Sequence, residues 1–214
     1  MNKVKGFQDT IDWYNNNAKE YAIASAKYPT IQNLEQFISV LPKNGKVLDA
    51  GCGAGRATNF LQKHGFQAVG LDLSEGLIQV AKEQYPQCAF AVGDLRFLPF
   101  EDSIFDGICS EGSLLHMETI EDVEKVVQEF ERVLKPQGIV YILVKAQMGN
   151  NKTAFVSDKI SAQGRFFQYF TKREVEDLLK ARFKVESIKQ YNETEVDPKG
   201  REDTDWIIAL GRKE

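Results

Sequence analysis

The sequence predicts a doubly wound α/β fold with a seven-stranded, mostly parallel sheet that ends in an antiparallel strand pair. Five short apolar runs alternate with segments of helical periodicity, which is typical of a parallel sheet covered by helices on both faces. Two further strand-like runs, 183–191 and 204–212, close the chain. Only the polar stretch 192–203 joins them and no helix fits there, so we expect these two strands to pair antiparallel.

The strands of the parallel part are predicted from near-continuous apolar runs of five to eight residues. Their length and the lack of strict alternation favour strands that are buried on both faces. In chain order the runs are 46–50, 67–72, 88–92, 104–110 and 138–145.

The predicted helices between these strands have recognisable ends. Gly65 ends the helix after the first strand, and Ser74 can cap the helix after the second. The helix that starts at about Thr119 is expected to close at Pro136. A capping-box pattern at residues 171–174 begins the last predicted helix. No linker divides the chain, so we expect one domain over residues 1–214, with residues 1–40 as a helical cap.

Composition narrows the class of protein. The 214 residues carry a net charge of −4 without a long Lys/Arg block, which argues against a nucleic-acid partner. No apolar run is long enough to span a membrane, and the first residues lack an apolar signal core. The few cysteines and histidines are too scattered for a metal site, and free thiols suit a reducing cytosol. We therefore expect a cytoplasmic protein without metal, as a monomer or homodimer.

A glycine-rich loop follows the first predicted strand. Gly51, Gly53 and Gly55 alternate after Asp49, and Arg56 comes next. A dinucleotide-binding loop reads G-x-G-x-x-G, so the third glycine here stands one place early. The Asp49 carboxylate would repel a negative ligand charge. At a separation of about 4 Å and an effective dielectric of about 20, this repulsion costs about 4 kcal/mol for each charge. The loop therefore favours a ligand that carries cationic groups.

With its aspartate and three glycines, this loop resembles motif I of the class I S-adenosylmethionine-dependent methyltransferases of the small-molecule type. The resemblance continues in the expected order through residues 68–74, 91–100, 105–117 and 132–143. It is firm over about residues 10–146 and looser elsewhere. It implies a Rossmann-like α/β/α sandwich that binds S-adenosylmethionine as methyl donor and releases S-adenosylhomocysteine.

The resemblance also implies roles for residues at the strand ends. Asp49 would orient the methionine ammonium group, while the three glycines would let the backbone approach the donor. Asp72 would accept both ribose hydroxyls, and Leu73 would contact the adenine. The alternatives are an incidental acid at a turn for Asp49 and a simple helix-entry residue for Asp72.

Further donor contacts follow from the same resemblance. Asp94 would accept the adenine amino proton, with the backbone N–H of Leu95 on a ring nitrogen; an Asx-turn is the alternative for Asp94. Ser110 would offer its backbone carbonyl to the methionine end. Tyr21 would contact the donor from an N-terminal helix that also carries Tyr14, although simple packing of that helix on the sheet is the alternative.

Two residues beyond the fourth predicted strand are candidates for catalysis. His116 and Glu111 lie where donor and acceptor would meet, and either could serve as the base that an oxygen or nitrogen acceptor needs. A buried structural histidine is an equally good interpretation of His116.

The segment 145–170 is too long for an ordinary connection, whose median is about 4–6 residues, and we expect it to form a lid over the acceptor. Its first half is polar and its second half is aromatic. Arg165 and Tyr169 have polar ends and are the expected acceptor contacts, whereas Phe166 and Phe170 are expected to seal the sheet edge.

The function that these observations imply is in-line transfer of a methyl group to an oxygen, nitrogen or carbon atom of a small molecule. Two alternatives stay open at this point. One is a nicotinamide-dependent oxidoreductase, which Asp49 and the glycine spacing disfavour. The other is a non-catalytic module that binds S-adenosylmethionine.

Overall fold

The computed structural model describes residues 6–26, 31–157, 160–161, 163–193 and 204–214, without the side chains of 31–33. These described residues form nine strands. Seven of them form one sheet. In chain order the strands are β1 (Lys46–Ala50), β2 (Gln67–Asp72), β3 (Ala89–Val92), β4 (Phe105–Glu111), β5 (Leu134–Lys145), β6 (Thr153–Val156), β7 (Arg165–Gln168), β8 (Lys184–Asn192) and β9 (Asp205–Arg212).

The main sheet has the order β3-β2-β1-β4-β5-β9-β8. All pairs from β3 to β5 are parallel, whereas β9 pairs antiparallel with both β5 and β8. The predicted mixed sheet with a terminal antiparallel pair is therefore confirmed. The expectation that no helix joins the last two strands concerns residues 194–203, which lie outside the described residues.

Helices cover both faces of this sheet. They are α1 (Phe7–Asn16), α2 (Ala18–Ser25), α3 (Ile31–Ser39), α4 (Arg56–Lys63), α5 (Glu75–Gln84), α6 (Ile120–Val133) and α7 (Lys172–Lys180), with a 3₁₀ turn at Leu114–His116. Apolar side chains of α6 and α7 pack on one face and those of α3 and α4 on the other. Helices α1 and α2 pack together on α5. No helix in the described ranges is long and apolar enough to cross a membrane.

The predicted helix starts agree with the caps in the structure. The hydroxyls of Ser74 and Thr119 accept the backbone N–H groups of Leu77 and Asp122. At Thr171 the predicted capping box is present in full.

Helix α6 ends earlier than the sequence predicts. It stops at Val133, and β5 already begins at Leu134, so the expected extension to Pro136 is wrong. Leu134 pairs with Phe105, and the register then shifts before the ladder resumes at Ile139. Because this irregularity takes Pro136 out of regular pairing, the proline's missing N–H costs the sheet no hydrogen bond.

Strands β6 and β7 form a separate antiparallel hairpin, in which Thr153 pairs with Gln168 and Val156 with Arg165. The sequence predicts only a polar connection for its first strand. The hairpin's base is fixed to the main sheet, since the Phe170 N–H donates to the carbonyl of Lys145. Strand β7 packs on α1 and on the 3₁₀ turn, so the hairpin lies over the carboxyl ends of the parallel strands.

Candidate active site

A cleft runs along the carboxyl ends of the parallel strands, where ligands bind in open α/β sheets. It has two ends that share part of their lining. The β2–β3 end is bordered by Asp72, Leu73, Asp94 and Leu95, among others. The β5 end is bordered by Lys145, Arg165, Phe167, Trp206 and their neighbours. Tyr14, Tyr21, Gly51, Gly53, Glu111, Gly112 and His116 border both ends.

The glycine loop between β1 and α4 requires its glycines. Gly51 and Gly55 have φ angles of +81° and +84°, a region that favours glycine. A Cβ at Gly51 would lie 2.2 Å from the Cβ of Ser113, and one at Gly55 would lie 2.6 Å from the ring of Phe90. The loop is fastened to β2, because the N–H groups of Gly51 and Cys52 donate to the carbonyl of Leu71.

Asp49 lies under this loop and is only 1% exposed. Its carboxylate accepts the Thr58 hydroxyl at 2.6 Å and faces the Cys109 thiol at 3.8 Å. Burial raises the pKa of Asp49 to about 6, although the Thr58 hydrogen bond opposes the shift. Asp49 borders the β5 end of the cleft. Its carboxylate can therefore attract a cationic ligand group across the glycine loop.

Asp72 and Asp94 are the acids of the β2–β3 end, and different groups hold them. Asp72 accepts the backbone N–H groups of Gly53 and Ser74, both at 2.9 Å, while burial raises its pKa. Asp94 pairs with Arg96 at 2.7 Å. Burial raises the pKa of Asp94, but hydrogen bonds and charge from Arg96 outweigh it and hold the pKa below the usual value. Both carboxylates are thus fixed at the cleft wall.

Glu111 ends β4 and stands between the two ends of the cleft. Its side chain is 11% exposed and lies 3.9 Å from the Arg56 guanidinium, while the Tyr141 hydroxyl donates to it at 3.4 Å. Burial raises the pKa of Glu111 to about 8; the positive charge of Arg56 opposes this shift and the negative charge of Asp49 adds to it. A carboxyl with a pKa near neutrality can exchange a proton during a reaction.

His116 is engaged at both ring nitrogens. Nδ1 lies 2.7 Å from the carbonyl of Phe166, so Nδ1 carries the proton, and Nε2 accepts the Tyr14 hydroxyl at 2.9 Å. Arg165 in turn donates to the Tyr14 oxygen at 2.9 Å. Burial lowers the pKa of His116 to about 3, with Arg165 and Lys145 adding to the effect. Because the imidazole is neutral and both ring nitrogens already form hydrogen bonds, His116 is suited to positioning Tyr14 rather than to accepting a proton from a substrate.

Aromatic rings surround the Arg165 guanidinium. Its central carbon lies 4.3 Å from the Trp13 ring centroid and between 5.3 and 5.6 Å from those of Tyr14, Tyr21 and Phe167. Such contacts favour a guanidinium electrostatically. They bring together side chains of α1, α2 and β7, so these three elements border the cleft side by side.

Three of the predicted site residues, Gly55, Ser110 and Tyr169, lie away from the cleft lining. Ser110 is fully buried, and its hydroxyl bonds that of Ser113 at 2.5 Å. Tyr169 is partly buried against the core and borders neither end of the cleft. The reason is that β7 ends at Gln168, so the alternation that turns Arg165 and Phe167 toward the cleft does not extend to Tyr169. Its position does not fit an acceptor contact.

The structure also adds residues that the sequence did not single out. Asn15 caps α5 from α1, because its side-chain oxygen accepts the Ser74 hydroxyl at 2.8 Å and the Gly76 N–H at 3.0 Å. Lys145 and Trp206 face each other across β5 and β9 and border the cleft. Lys145 could have been found from its place at the end of a parallel strand. No local sequence pattern indicates Trp206. It lies beside Lys145 only because β9 inserts antiparallel next to β5.

Comparison with known proteins gives the family context. The family model of the methyltransferase domain matches residues 48–142. Demethylmenaquinone methyltransferase from Streptomyces griseus subsp. griseus is 36% identical over 97 residues, which are 45% of this chain and 41% of that protein. The chain spans about half or less of the length of the curated relatives that it matches.

Solved structures share the whole fold. A SAM-dependent methyltransferase from Methanosarcina mazei aligns with a TM-score of 0.74 at 20% identity, over 87% of this chain and 97% of that chain. The 1,6-didemethyltoxoflavin-N1-methyltransferase of Burkholderia thailandensis, solved with its substrate and S-adenosylhomocysteine, aligns with a TM-score of 0.72 at 21% identity, over 97% and 86%. Residues 48–142 are therefore similar in sequence to a methyltransferase domain, and the chain shares the fold of these solved structures.

Proposed function

We propose that this chain transfers a methyl group from S-adenosylmethionine to a small molecule bound at the β5 end of the cleft. The observation that carries this proposal is a set of three carboxyls around one glycine loop, the buried Asp49 and the partly buried Asp72 and Glu111. Burial raises the pKa of each of them. A ligand with an ammonium and a sulfonium group would offset that unfavourable burial, whereas a dinucleotide pyrophosphate would add to it.

The donor fits the cleft with its adenosine at the β2–β3 end. Asp72 would accept the ribose hydroxyls, and Asp94, held by Arg96, would accept the adenine amino group. Leu73 and Leu95 border the same end and offer apolar contact to the ring. The methionine part would cross the glycine loop toward Asp49, with Tyr21 above it, which places the methyl group near Glu111.

The bound donor supplies an electrophilic methyl on a sulfonium sulfur, so an acceptor lone pair can form the new bond while the carbon–sulfur bond electrons stay on sulfur. The protein's part is to align the reactants and to exclude water. Leu115 and Leu143 give the β5 end apolar walls. Where the acceptor is an acidic O–H or N–H group, Glu111 would take its proton, since its carboxyl borders both ends of the cleft. His116 would act indirectly, by holding the Tyr14 hydroxyl.

The acceptor is proposed to be a small molecule, because the hairpin and the helical cap border the β5 end. The methyl group would go to an oxygen, nitrogen or carbon atom of that molecule. Three free cysteines, Cys52, Cys88 and Cys109, support a location in the reducing cytoplasm.

Thermal unfolding with candidate ligands tests the donor assignment. A ligand that binds only the folded chain raises the unfolding midpoint, so we expect S-adenosylhomocysteine to raise it and NADH to leave it unchanged. Incubation with methyl-labelled S-adenosylmethionine and a metabolite extract should then yield a labelled small molecule by mass spectrometry. Stabilisation by NADH alone would contradict the proposal, and donor binding without any labelled product would indicate a binding module.

The variant Asp72→Ala should weaken donor binding by about 1–3 kcal/mol, because the ribose hydroxyls lose a charged acceptor. Calorimetry with S-adenosylhomocysteine measures the loss. Asp177→Ala is the matched control, since Asp177 forms only an exposed ion pair with Arg173 on α7. Equal affinities for both variants would mean that Asp72 is not part of the donor site.

A further inference from the structure

Two cations border the β5 end beside a single aromatic ring. The Lys145 ammonium nitrogen lies 4.4 Å from the Phe167 ring centroid, and the Arg165 guanidinium carbon lies 5.3 Å from the same point. The two positive charges are therefore within about 10 Å of each other. They come from different elements, the end of β5 and the start of β7, so the fold itself brings them together.

Among the described residues that border this end, the cations are Arg56, Lys145 and Arg165 and the acids are Asp49, Glu111 and Glu193. In the free chain the pKa of Glu111 is raised to about 8, and a bound cationic donor would favour its ionised form. The donor would add a sulfonium and an ammonium against one carboxylate. The donor thus brings one net positive charge, and the neighbouring Lys145 and Arg165 would attract an anionic acceptor and repel a cationic one.

The walls of the β5 end suit a flat ring. Phe167 and Trp206 present aromatic surfaces and Leu115 and Leu143 present aliphatic ones. The Trp206 ring is also within 5.7 Å of the Lys145 ammonium. Aromatic ligands pack on such side chains in offset or edge-to-face geometry.

We propose that the acceptor is a small aromatic acid whose carboxylate is bound by Lys145 and Arg165 and whose ring lies against Phe167 and Trp206. This inference rests on the proposed methyl transfer and deepens it by naming the class of acceptor. Arg165 is already held by the Tyr14 hydroxyl, so its guanidinium is ordered before a carboxylate arrives. Prior ordering reduces the entropy that binding must offset.

The donor's own carboxylate is the competing occupant of this cation pair. Arg56 begins α4 directly after the glycine loop, so that residue and the helix N-terminus offer the donor carboxylate a nearer site. The two assignments make different predictions. If Lys145 and Arg165 bound the donor, their replacement would weaken S-adenosylhomocysteine binding.

The test compares two probes of matched shape, 4-hydroxybenzoate and 4-hydroxybenzamide, which differ in charge. Calorimetry measures their binding to the full chain saturated with S-adenosylhomocysteine. We expect the acid to bind at least about tenfold more tightly than the amide, which is the range that one charged hydrogen-bonded contact supplies. Lys145→Met should remove most of this preference without changing S-adenosylhomocysteine affinity, and Arg165→Met should also remove most of this preference.

Two further variants keep the test decisive. Lys145→Arg retains the charge and should retain the preference for the acid, which a purely structural role for Lys145 does not require. Lys43→Met, at an exposed site away from the cleft, should behave as wild type. Equal binding of the two probes, no binding of either, or a loss of S-adenosylhomocysteine affinity in Lys145→Met would overturn the acceptor assignment. Failure of S-adenosylhomocysteine to bind the wild-type chain would instead contradict the proposed methyl transfer.

Discussion

Glu111 connects the two ends of the cleft, because its carboxyl borders the donor side and the acceptor side together. Its position at the carboxyl end of β4 buries it among Asp49, Arg56 and Tyr141. The raised pKa means that the free chain holds a proton on Glu111 at neutral pH. A cationic ligand nearby would favour the ionised form, so binding and proton release are coupled at this one residue.

We therefore expect the affinity of wild type for S-adenosylmethionine, divided by that of Glu111→Gln, to rise by up to about tenfold from pH 7 to 9. The sign follows because the cation prefers ionised Glu111, which becomes the main form only above pH 8. The ratio cancels the titration of the donor's own α-ammonium group, which falls in the same range. Calorimetry at each pH measures both affinities, and a ratio that does not change with pH would refute the coupling.

The sequence predicts site residues that lie within a local motif. It does not predict contacts between residues that are far apart in the chain. Asp49, Gly51 and Gly53 stand in one continuous motif, and all three border the cleft. Arg165 was found because its segment is unusually long and aromatic. Its bond to Tyr14 spans 151 positions of the chain, and no local pattern contains that information. The place of Tyr169 outside the cleft lining has the same origin, because the sequence does not show that β7 ends at Gln168.

At the scale of elements, the β6–β7 hairpin depends on hydrogen bonds to α1 and to the 3₁₀ turn. The Phe166 N–H donates to the Thr10 hydroxyl oxygen at 2.9 Å, and the Phe166 carbonyl accepts from His116 at 2.7 Å. Both groups of one peptide residue are thus satisfied by side chains of other elements. Strands are predicted from apolar runs. The β6–β7 hairpin is stabilised by polar contacts from α1, so such runs do not predict it.

Thr10→Val should loosen this hairpin selectively. The substitution keeps the side-chain shape but removes the oxygen that accepts the Phe166 N–H, leaving a partly buried donor unpaired at a cost of about 1–3 kcal/mol. Hydrogen exchange should become faster in β6 and β7 and stay unchanged in β1 and β4. Ser39→Ala is the control, because that hydroxyl bonds only the Gln36 carbonyl at an exposed helix end. Uniformly faster exchange throughout the sheet would indicate a general loss of stability instead.

At the scale of the whole molecule, two buried groups make stability depend on pH in opposite directions. Glu111 has a raised pKa in the folded state, so the folded chain binds more protons than the unfolded chain between about pH 4.5 and 8, and stability falls as pH rises through that window. His116 has a lowered pKa, so the folded chain binds fewer protons between about pH 3 and 6.5. Its contribution to stability is complete above pH 6.5 and is lost as pH falls toward 3.

The His116 contribution can be isolated by comparing slopes rather than absolute stabilities. Between pH 6.5 and 4.5, each proton that only the unfolded chain binds lowers the free energy of unfolding by about 1.4 kcal/mol per pH unit. Urea unfolding of wild type and His116→Asn should therefore show pH slopes that differ by nearly that amount, because Glu111 and all surface groups contribute equally to both. The variant will be less stable at pH 7, since Tyr14 and Phe166 lose their shared partner, but that loss does not affect the difference in slope.

His64→Asn, at an exposed histidine on the far end of α4, should keep the wild-type slope. Identical slopes for wild type and His116→Asn would show that His116 is not held neutral, and the network from Arg165 through Tyr14 to Phe166 would then need a different proton assignment.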